Sequence, residues 1–199
     1  MSGKLTTDLR RTEDGYEAEH VIRPSGLAKV IRNGVISEKS RFAATEDGIR
    51  GTWYQSVNTL SSDETSADVR FDWTTNELAG TVNEEEVSMI LDELVHDRVA
   101  LQYQLMHDLV NGGLEERYIL FDLDEFKILA VKTIGTREIQ TPAGTFEALG
   151  IQHQRENSSR VTTFWCVEEL GYLPAVIERH RKGKLQMRAL LQAYSPVET

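Results

Sequence analysis

The stretch LQMRALLQAY, residues 185–194, decides the fold class, because apolar and polar side chains alternate along it. A period of two is typical of a β-strand with one face buried. The same alternation recurs at 69–73 and at 161–167. These segments predict a protein that is mainly β.

Turn-forming residues separate the alternating runs, among them Asp47-Gly48, Pro142-Ala143-Gly144 and Lys182-Gly183. Short turns join antiparallel strands. The second half of the chain is therefore predicted to be a meander with strands at about 115–124, 126–136, 145–155, 160–167, 174–181 and 185–194. No glycine-rich turn opens a helix after a strand, which argues against a dinucleotide-binding fold or a P-loop.

One segment has a different period. From Val87 to Val110 the apolar residues recur at helical spacing, and Asn111-Gly112-Gly113 supplies a stop. Glu84-Glu85-Glu86 precedes the segment and suits the positive end of a helix dipole. We predict a helical segment at about 87–111, in which Asp97 is a candidate start of a second helical piece.

The predicted fold is α+β and mainly β. It is a long curved antiparallel sheet whose concave face is covered by the helical segment, since no other substantial element is available to cover it. Residues 1–12 are predicted to form an N-terminal tail, and 13–195 a single domain.

Composition excludes several classes of function. The chain has 199 residues and a net charge of −10, which argues against binding a nucleic-acid backbone. No run of about 18 apolar residues is present, so no transmembrane helix is predicted. A single cysteine, Cys166, rules out an internal disulfide and an all-thiolate zinc site, and its apolar strand predicts a buried, inert thiol.

Aromatic residues on the strands and apolar residues on the helical segment could line a cavity for an apolar ligand. The candidate ligand-binding residues are Trp53, Phe71, Trp73, Leu101, Tyr103, Leu105, His107 and Trp165. The alternative is that these side chains form an ordinary core or a polar helix flank.

Other residue clusters give weaker signals. His96 and His107 would lie on one helix face but roughly 16 Å apart, too far to share a metal. A basic group surrounds the last hairpin, where it could bind an anionic head group or protect a sheet edge: Arg179, Arg181, Lys182, Lys184 and Arg188. No nucleophile–base pair, metal site or cofactor motif is recognised, so no catalytic residue, metal or cofactor is predicted.

Four segments carry a family resemblance: DRVALQYQL at 97–105, IGTREIQTPAGTF at 134–146, TFWCV at 163–167 and GYLPA at 171–175. Together they resemble the family known as domain of unknown function 3108, found in the envelope of Gram-negative bacteria, over about 16–194. The resemblance implies an exported protein and a fold similar to the periplasmic lipoprotein carriers, a half-open β-barrel with helices across its mouth. It supplies no catalytic residues.

No signal peptide precedes the first strand, so the expected location is the periplasm if a leader has been removed, or the cytoplasm if the start is native. We expect a non-enzymatic protein that binds or transfers a hydrophobic or lipidic ligand in the half-barrel. The alternative is a structural or interaction protein of the envelope that acts through a sheet edge or the basic last hairpin. An uncharacterised enzyme is the third hypothesis. Ligand, partner and oligomeric state are left open.

Overall fold

The computed structural model describes residues 3–24, 34–60 and 63–195. In chain order the elements are β1 (Gly3–Thr12), β2 (Gly15–Pro24), β3 (Ile36–Thr45), β4 (Gly48–Asn58), β5 (Thr65–Asp72), β6 (Glu77–Val82), β7 (Glu85–Ile90), β8 (Val95–His96), α1 (Arg98–Asn111), β9 (Arg117–Asp122), β10 (Glu125–Thr141), β11 (Gly144–Arg155), β12 (Arg160–Val167), a short 3-10 turn (Glu168–Leu170), β13 (Leu173–Arg181) and β14 (Lys184–Leu190).

The strands form two seven-stranded sheets, neither of them closed, with the orders β1-β2-β3-β4-β5-β6-β7 and β14-β13-β12-β11-β10-β9-β8. The pairings from β1 to β7 and from β10 to β14 are antiparallel, and the short β8 runs parallel to β9. The predicted mainly β fold with an open antiparallel sheet and a helical segment is confirmed. The six strands expected in the second half occur at β9 to β14.

The chain divides into two compact units. Unit 1 comprises Met1–Gln104 and Ile119–Lys127, and unit 2 comprises Leu105–Tyr118 and Ile128–Thr199. The core of unit 1 is aromatic: Phe42, Tyr54, Phe71 and Phe121 are all buried there. Val99 and Ala100, in the first turn of α1, join the same core and are completely inaccessible to solvent, which packs the start of the helix against the sheet.

The core of unit 2 is built from smaller side chains around one tryptophan, namely Ile139, Ala148, Trp165, Val167, Ala175 and Val176. The Leu191 amide donates to the Ala175 carbonyl on β13, and the Leu191 carbonyl accepts from the Ala143 amide in the β10–β11 turn. These bonds bring the residue after β14 against that turn.

The predicted N-terminal tail at residues 1–12 is wrong for the part that the structure describes. Gly3–Thr12 is strand β1, and all ten of its residues are in register with β2. The reason lies in the next residues, because Glu13 and Asp14 form a two-residue hairpin turn and Gly15, which begins β2, has φ 145. Leu9 then packs against the core.

The predicted helical segment begins too early. Glu85–Ile90 is the edge strand β7, β8 follows, and the helix starts at Arg98. Asn83 and Glu84 have positive φ in the β6–β7 turn, so the glutamates open a strand and not a helix. Asp97 caps α1, as its position suggested, by accepting from the amides of Val99 and Ala100, each at 2.8 Å.

The end of the helix agrees with the prediction. Gly112 and Gly113 have φ 125 and 138, values that glycine adopts freely. The Gly113 amide closes the last turn by donating to the Asp108 carbonyl at 2.8 Å. Within the described ranges, no helix is long and apolar enough to cross a bilayer.

Candidate functional site

The candidate ligand-binding residues of unit 1 lie on two different surfaces. Phe71 stacks on Trp73 with ring centroids 6.3 Å apart, and Tyr103 lies 4.8 Å from the Phe42 ring, all within the core of this unit. Leu101 is also buried. Trp53 is separate from them, because the outer face of β4 directs its Nε1 to the Asp68 carboxylate at 2.8 Å.

The three candidates of unit 2 do not form a common wall either. Leu105 is buried, and His107 lies beside Asp108 with Nδ1 and Oδ1 3.3 Å apart. Trp165 is covered by the Arg137 guanidinium, whose Cζ lies 3.7 Å from the ring centroid, and its Nε1 donates to Glu178 at 3.3 Å. Trp165 is therefore a core residue with its remaining face occupied by protein.

The interior of unit 1 is filled by its own aromatic side chains. Phe121 contacts Tyr54, Phe71 and Phe126 edge to face, at centroid distances of 6.3, 6.3 and 6.4 Å. Edge-to-face packing at this distance is a favourable arrangement of aromatic rings. These ring contacts cover the apolar surface that a ligand would otherwise contact.

A polar cluster lies at the start of α1. Asp97 is completely buried, and Ser40 Oγ on β3 donates to its Oδ2 at 2.7 Å. Burial raises the pKa of the Asp97 carboxyl to about 7, against the lowering effect of the bonds from Ala100, Ser40 and Val99. His20 is buried on the same face of the sheet, and burial lowers its pKa.

The cluster continues into a chain of ion pairs. The Glu38 carboxylate accepts from Tyr54 at 3.0 Å and from Arg98 at 3.1 Å. Arg98 also binds Asp122, which in turn binds Lys127. Every charged group in this chain is directed at another protein group, so the arrangement fixes the start of α1 and offers no free reactive group.

A second charged array crosses the outer face of the same sheet. Arg10, Glu17, Arg41 and Trp53 occupy directly opposed positions on β1, β2, β3 and β4. Glu17 binds Arg10 and, at 2.7 Å, Arg41, and the Arg41 guanidinium lies 4.9 Å from the Trp53 ring centroid. We call this row the charge ladder. Although burial opposes ionisation, the Arg41 and Arg10 hydrogen bonds lower the pKa of Glu17.

The charge ladder ends at the sheet edge. Arg10 retains 64% of its side-chain exposure, whereas Glu17 retains 4%. Among the described residues, no strand pairs with the outer side of β1, and the Arg10 side chain on this strand is mostly exposed. A strand edge of this kind can pair with another strand.

The other edges are less suited to pairing. β8 has two residues, and β7 has six and begins with two glutamates. β14 has a register shift against β13 and exposes Lys184 and Arg188, and bulges and basic residues both discourage edge pairing. β1 is ten residues long, pairs with β2 without a register shift, and carries both signs of charge.

The remaining candidates from the sequence are a group of basic residues, His96 and Cys166. The basic residues of the last hairpin are exposed, and Arg188 binds Glu178 at 3.3 Å. His96 lies in β8 and not on a helix. Cys166 is buried as expected, and burial raises its pKa to about 12. An open groove in unit 2, lined by Leu114, Glu115, Glu116, Val131, Lys132 and Thr133, contains none of the candidate residues.

Sequence reasoning missed the edge residues Asp8 and Arg10, since both fell in the predicted tail. The Asp14-Gly15 hairpin signal was sufficient to find the strand before it. It also missed the depth at which Asp97 is buried, which depends on the distant partner Ser40 and has no local signal.

Comparisons with known proteins agree with this architecture. The family model described as "Protein of unknown function (DUF3108)" matches residues 1–188. The chain belongs to this family. No curated protein matches.

Among solved structures, a match is the crystal structure of a β-barrel-like protein of domain of unknown function DUF1849 from Brucella abortus, with a TM-score of 0.56 and 10% identity. The alignment covers 96% of this chain and 89% of that one. At this identity the likeness concerns the fold alone. The resemblance to the DUF3108 family drawn from the sequence is thus confirmed, and it carries no assigned activity.

Proposed function

We propose that this DUF3108 protein is a non-enzymatic interaction protein of the bacterial envelope that takes up an extended segment of a partner at the open edge of β1. The observation that carries the proposal is the length and regularity of that edge, ten residues without a register shift. Strand addition supplies main-chain hydrogen bonds along the whole edge. The envelope location rests on the family resemblance alone.

The packed interior of unit 1 favours this function over a carrier. A carrier needs apolar surface that a ligand can reach, whereas Phe71 and Phe121 are buried against other rings. The open edge has no such requirement, because its backbone groups already face outward.

Site-specific crosslinking tests the proposal. A photo-crosslinking amino acid replaces Thr6, which is exposed on β1, or Glu147, which is exposed on the interior strand β11. In cells exporting the protein, we expect Thr6 to give an adduct that maps to one extended segment and is lost in the Asp8→Arg variant. Equal labelling from both positions, or none from Thr6, would exclude strand addition at β1.

A lipid or hydrophobic-ligand carrier is the second candidate. The observation in its favour is that Trp73 and Tyr103, although packed against the aromatic core, remain only partly buried. Native mass spectrometry of protein isolated from envelope extract tests it. A carrier holds about one apolar molecule per chain and loses it in Trp73→Ala, whereas Trp53→Ala, on the outer face, retains it. A bare protein mass after incubation with envelope lipids argues against a carrier.

A further inference from the structure

We infer that the partner of the β1 edge is a second copy of this chain, and that two β1 strands pair antiparallel about a two-fold axis at Leu9. This inference rests on the proposed function, since both use the same edge, and it names the partner. It follows from the pattern of charges along β1, because a two-fold axis places residues equidistant from its centre opposite each other.

Only a few centres are compatible with those charges. With the axis at Asp8, Arg10 or Arg11, a charged side chain faces its own copy, and with the axis at Thr7, Lys4 faces Arg10. Like charges directly opposite each other destabilise a strand pair. These centres are therefore disfavoured.

Centring at Leu9 gives opposite charges on one face and an apolar pair on the other. Asp8 of each copy faces Arg10 of the other, Thr6 faces Thr12, and Leu9 faces Leu9. Asp8 and Arg10 point to the same face because they are two residues apart in a regular strand. A centre at Thr6 also pairs opposite charges, Lys4 with Asp8, but it leaves Arg10 without a partner carboxylate in the second copy.

The charge ladder agrees with the Leu9 centre. In that register, Asp8 of the second copy lies beside Arg10, so the row becomes Asp8, Arg10, Glu17, Arg41 and Trp53 with alternating charges. The exposed end of the ladder is the Arg10 guanidinium, which keeps 64% of its side-chain exposure beside Glu17 and can therefore accept a second carboxylate from the open side. The two β1 sheets, with seven strands each, would then form one continuous fourteen-stranded sheet.

Charge reversal tests the pairing. Wild-type protein is expected to show twice the chain mass of 22.5 kDa in analytical ultracentrifugation. Asp8→Arg and Arg10→Asp each place like charges opposite each other and should be monomeric. A mixture of the two variants restores opposite charges at both positions, so it should form a heterodimer. Glu147→Arg, an exposed charge reversal in unit 2, should remain dimeric.

The mixture separates the inference from a folding defect, since a variant that does not fold cannot form the heterodimer. Hydrogen exchange of wild-type protein gives a second measurement: the outward amides of β1 should become protected as concentration rises. A monomeric wild type with concentration-independent exchange overturns the inference. Dimerisation lost in Asp8→Arg but kept in Arg10→Asp overturns the Leu9 centre.

Failure of this inference and failure of the proposed function give different results. If the wild type is monomeric but the crosslinker at Thr6 captures a segment of another protein, the edge binds a partner and the self-pairing is wrong. If the wild type is monomeric and Thr6 gives no adduct, both are wrong.

Discussion

Asp97 in unit 1 and His153 in unit 2 respond to burial in opposite directions. Burial raises the pKa of Asp97 to about 7. Burial, with a smaller contribution from Arg179, lowers the pKa of His153 to about 4. Both shifts have one cause, because a low-dielectric environment disfavours the charged form, which is the deprotonated form of aspartate and the protonated form of histidine.

Acid therefore acts on these two groups in opposite directions. The folded state holds the Asp97 proton more tightly than the unfolded state, so this group favours unit 1 below about pH 4, and the gain is lost as pH rises through 7. The folded state holds the His153 proton less tightly, so this group favours unit 2 above about pH 6.5, and the gain is lost as pH falls through 4.

Replacing Asp97 by asparagine should produce the largest effect. The amide oxygen can still accept from Val99 and Ala100, while the ionisation is removed. At pH 8 the variant should be more stable in unit 1 by as much as about 4 kcal/mol, because burial raises the pKa of the Asp97 carboxyl from 3.8 to about 7. Urea unfolding from pH 4 to 8, followed by hydrogen exchange within unit 1, measures this difference.

The exposed Asp92 provides the control for that variant. Asp92→Asn should leave the pH dependence of unit 1 unchanged. If the stability of unit 1 depends on pH between 4 and 7 in the same way in Asp97→Asn as in wild-type protein, the Asp97 carboxyl is already ionised at low pH in the folded state.

Replacing His153 by phenylalanine should produce the next largest effect. The ring stacks on Phe164 with centroids 5.3 Å apart, an environment that accepts a second aromatic side chain. Wild-type unit 2 should lose at most about 3 kcal/mol between pH 6.5 and 4, and His153→Phe should retain that stability. Hydrogen exchange of β11 and β12 across this range is the measurement.

The two variants control each other. Asp97→Asn should not change the acid sensitivity of β11 and β12, and His153→Phe should not change the pH dependence of the first turn of α1. If β11 and β12 are equally sensitive to acid in wild-type protein and in His153→Phe, His153 does not cause the loss of stability of unit 2 in acid.

Much of the fold could be predicted because strand alternation and turn residues are local signals. The strands β9 to β14 follow from alternation together with Pro142, Gly144 and Gly183. The segment at 87–97 was mispredicted because Val87 and Leu91 fit a helical spacing as well as a strand, and only the pairing of β7 with β6 decides between them. That pairing is a tertiary interaction, which overrides local propensity.

The candidate site was predicted less well because side-chain orientation depends on register. Trp53 and Tyr54 are adjacent, yet Trp53 points outward and Tyr54 lies in the core, and the register shift at Arg41/Phe42 helps set which one faces in. The neighbours that cover Trp165 come from β10 and β13, far from it in sequence. The aromatic residues of the sequence therefore indicated which segments contribute to the core, but they did not indicate whether a ligand cavity exists.

Replacing Ser40 by alanine should produce the smallest effect and isolates one contribution to the Asp97 pKa. The Ser40 hydroxyl donates to Asp97 at 2.7 Å and lowers its pKa, so its removal should raise that pKa above about 7. Stability of unit 1 at neutral pH should fall by about 1 to 2 kcal/mol, the usual value of a buried hydrogen bond. Because the Asp97 pKa rises, the midpoint of the pH dependence of unit 1 stability should also move to higher pH. Ser56→Ala, a buried serine on β4 that does not contact Asp97, should leave the midpoint in place, and an equal shift in both variants would contradict this explanation.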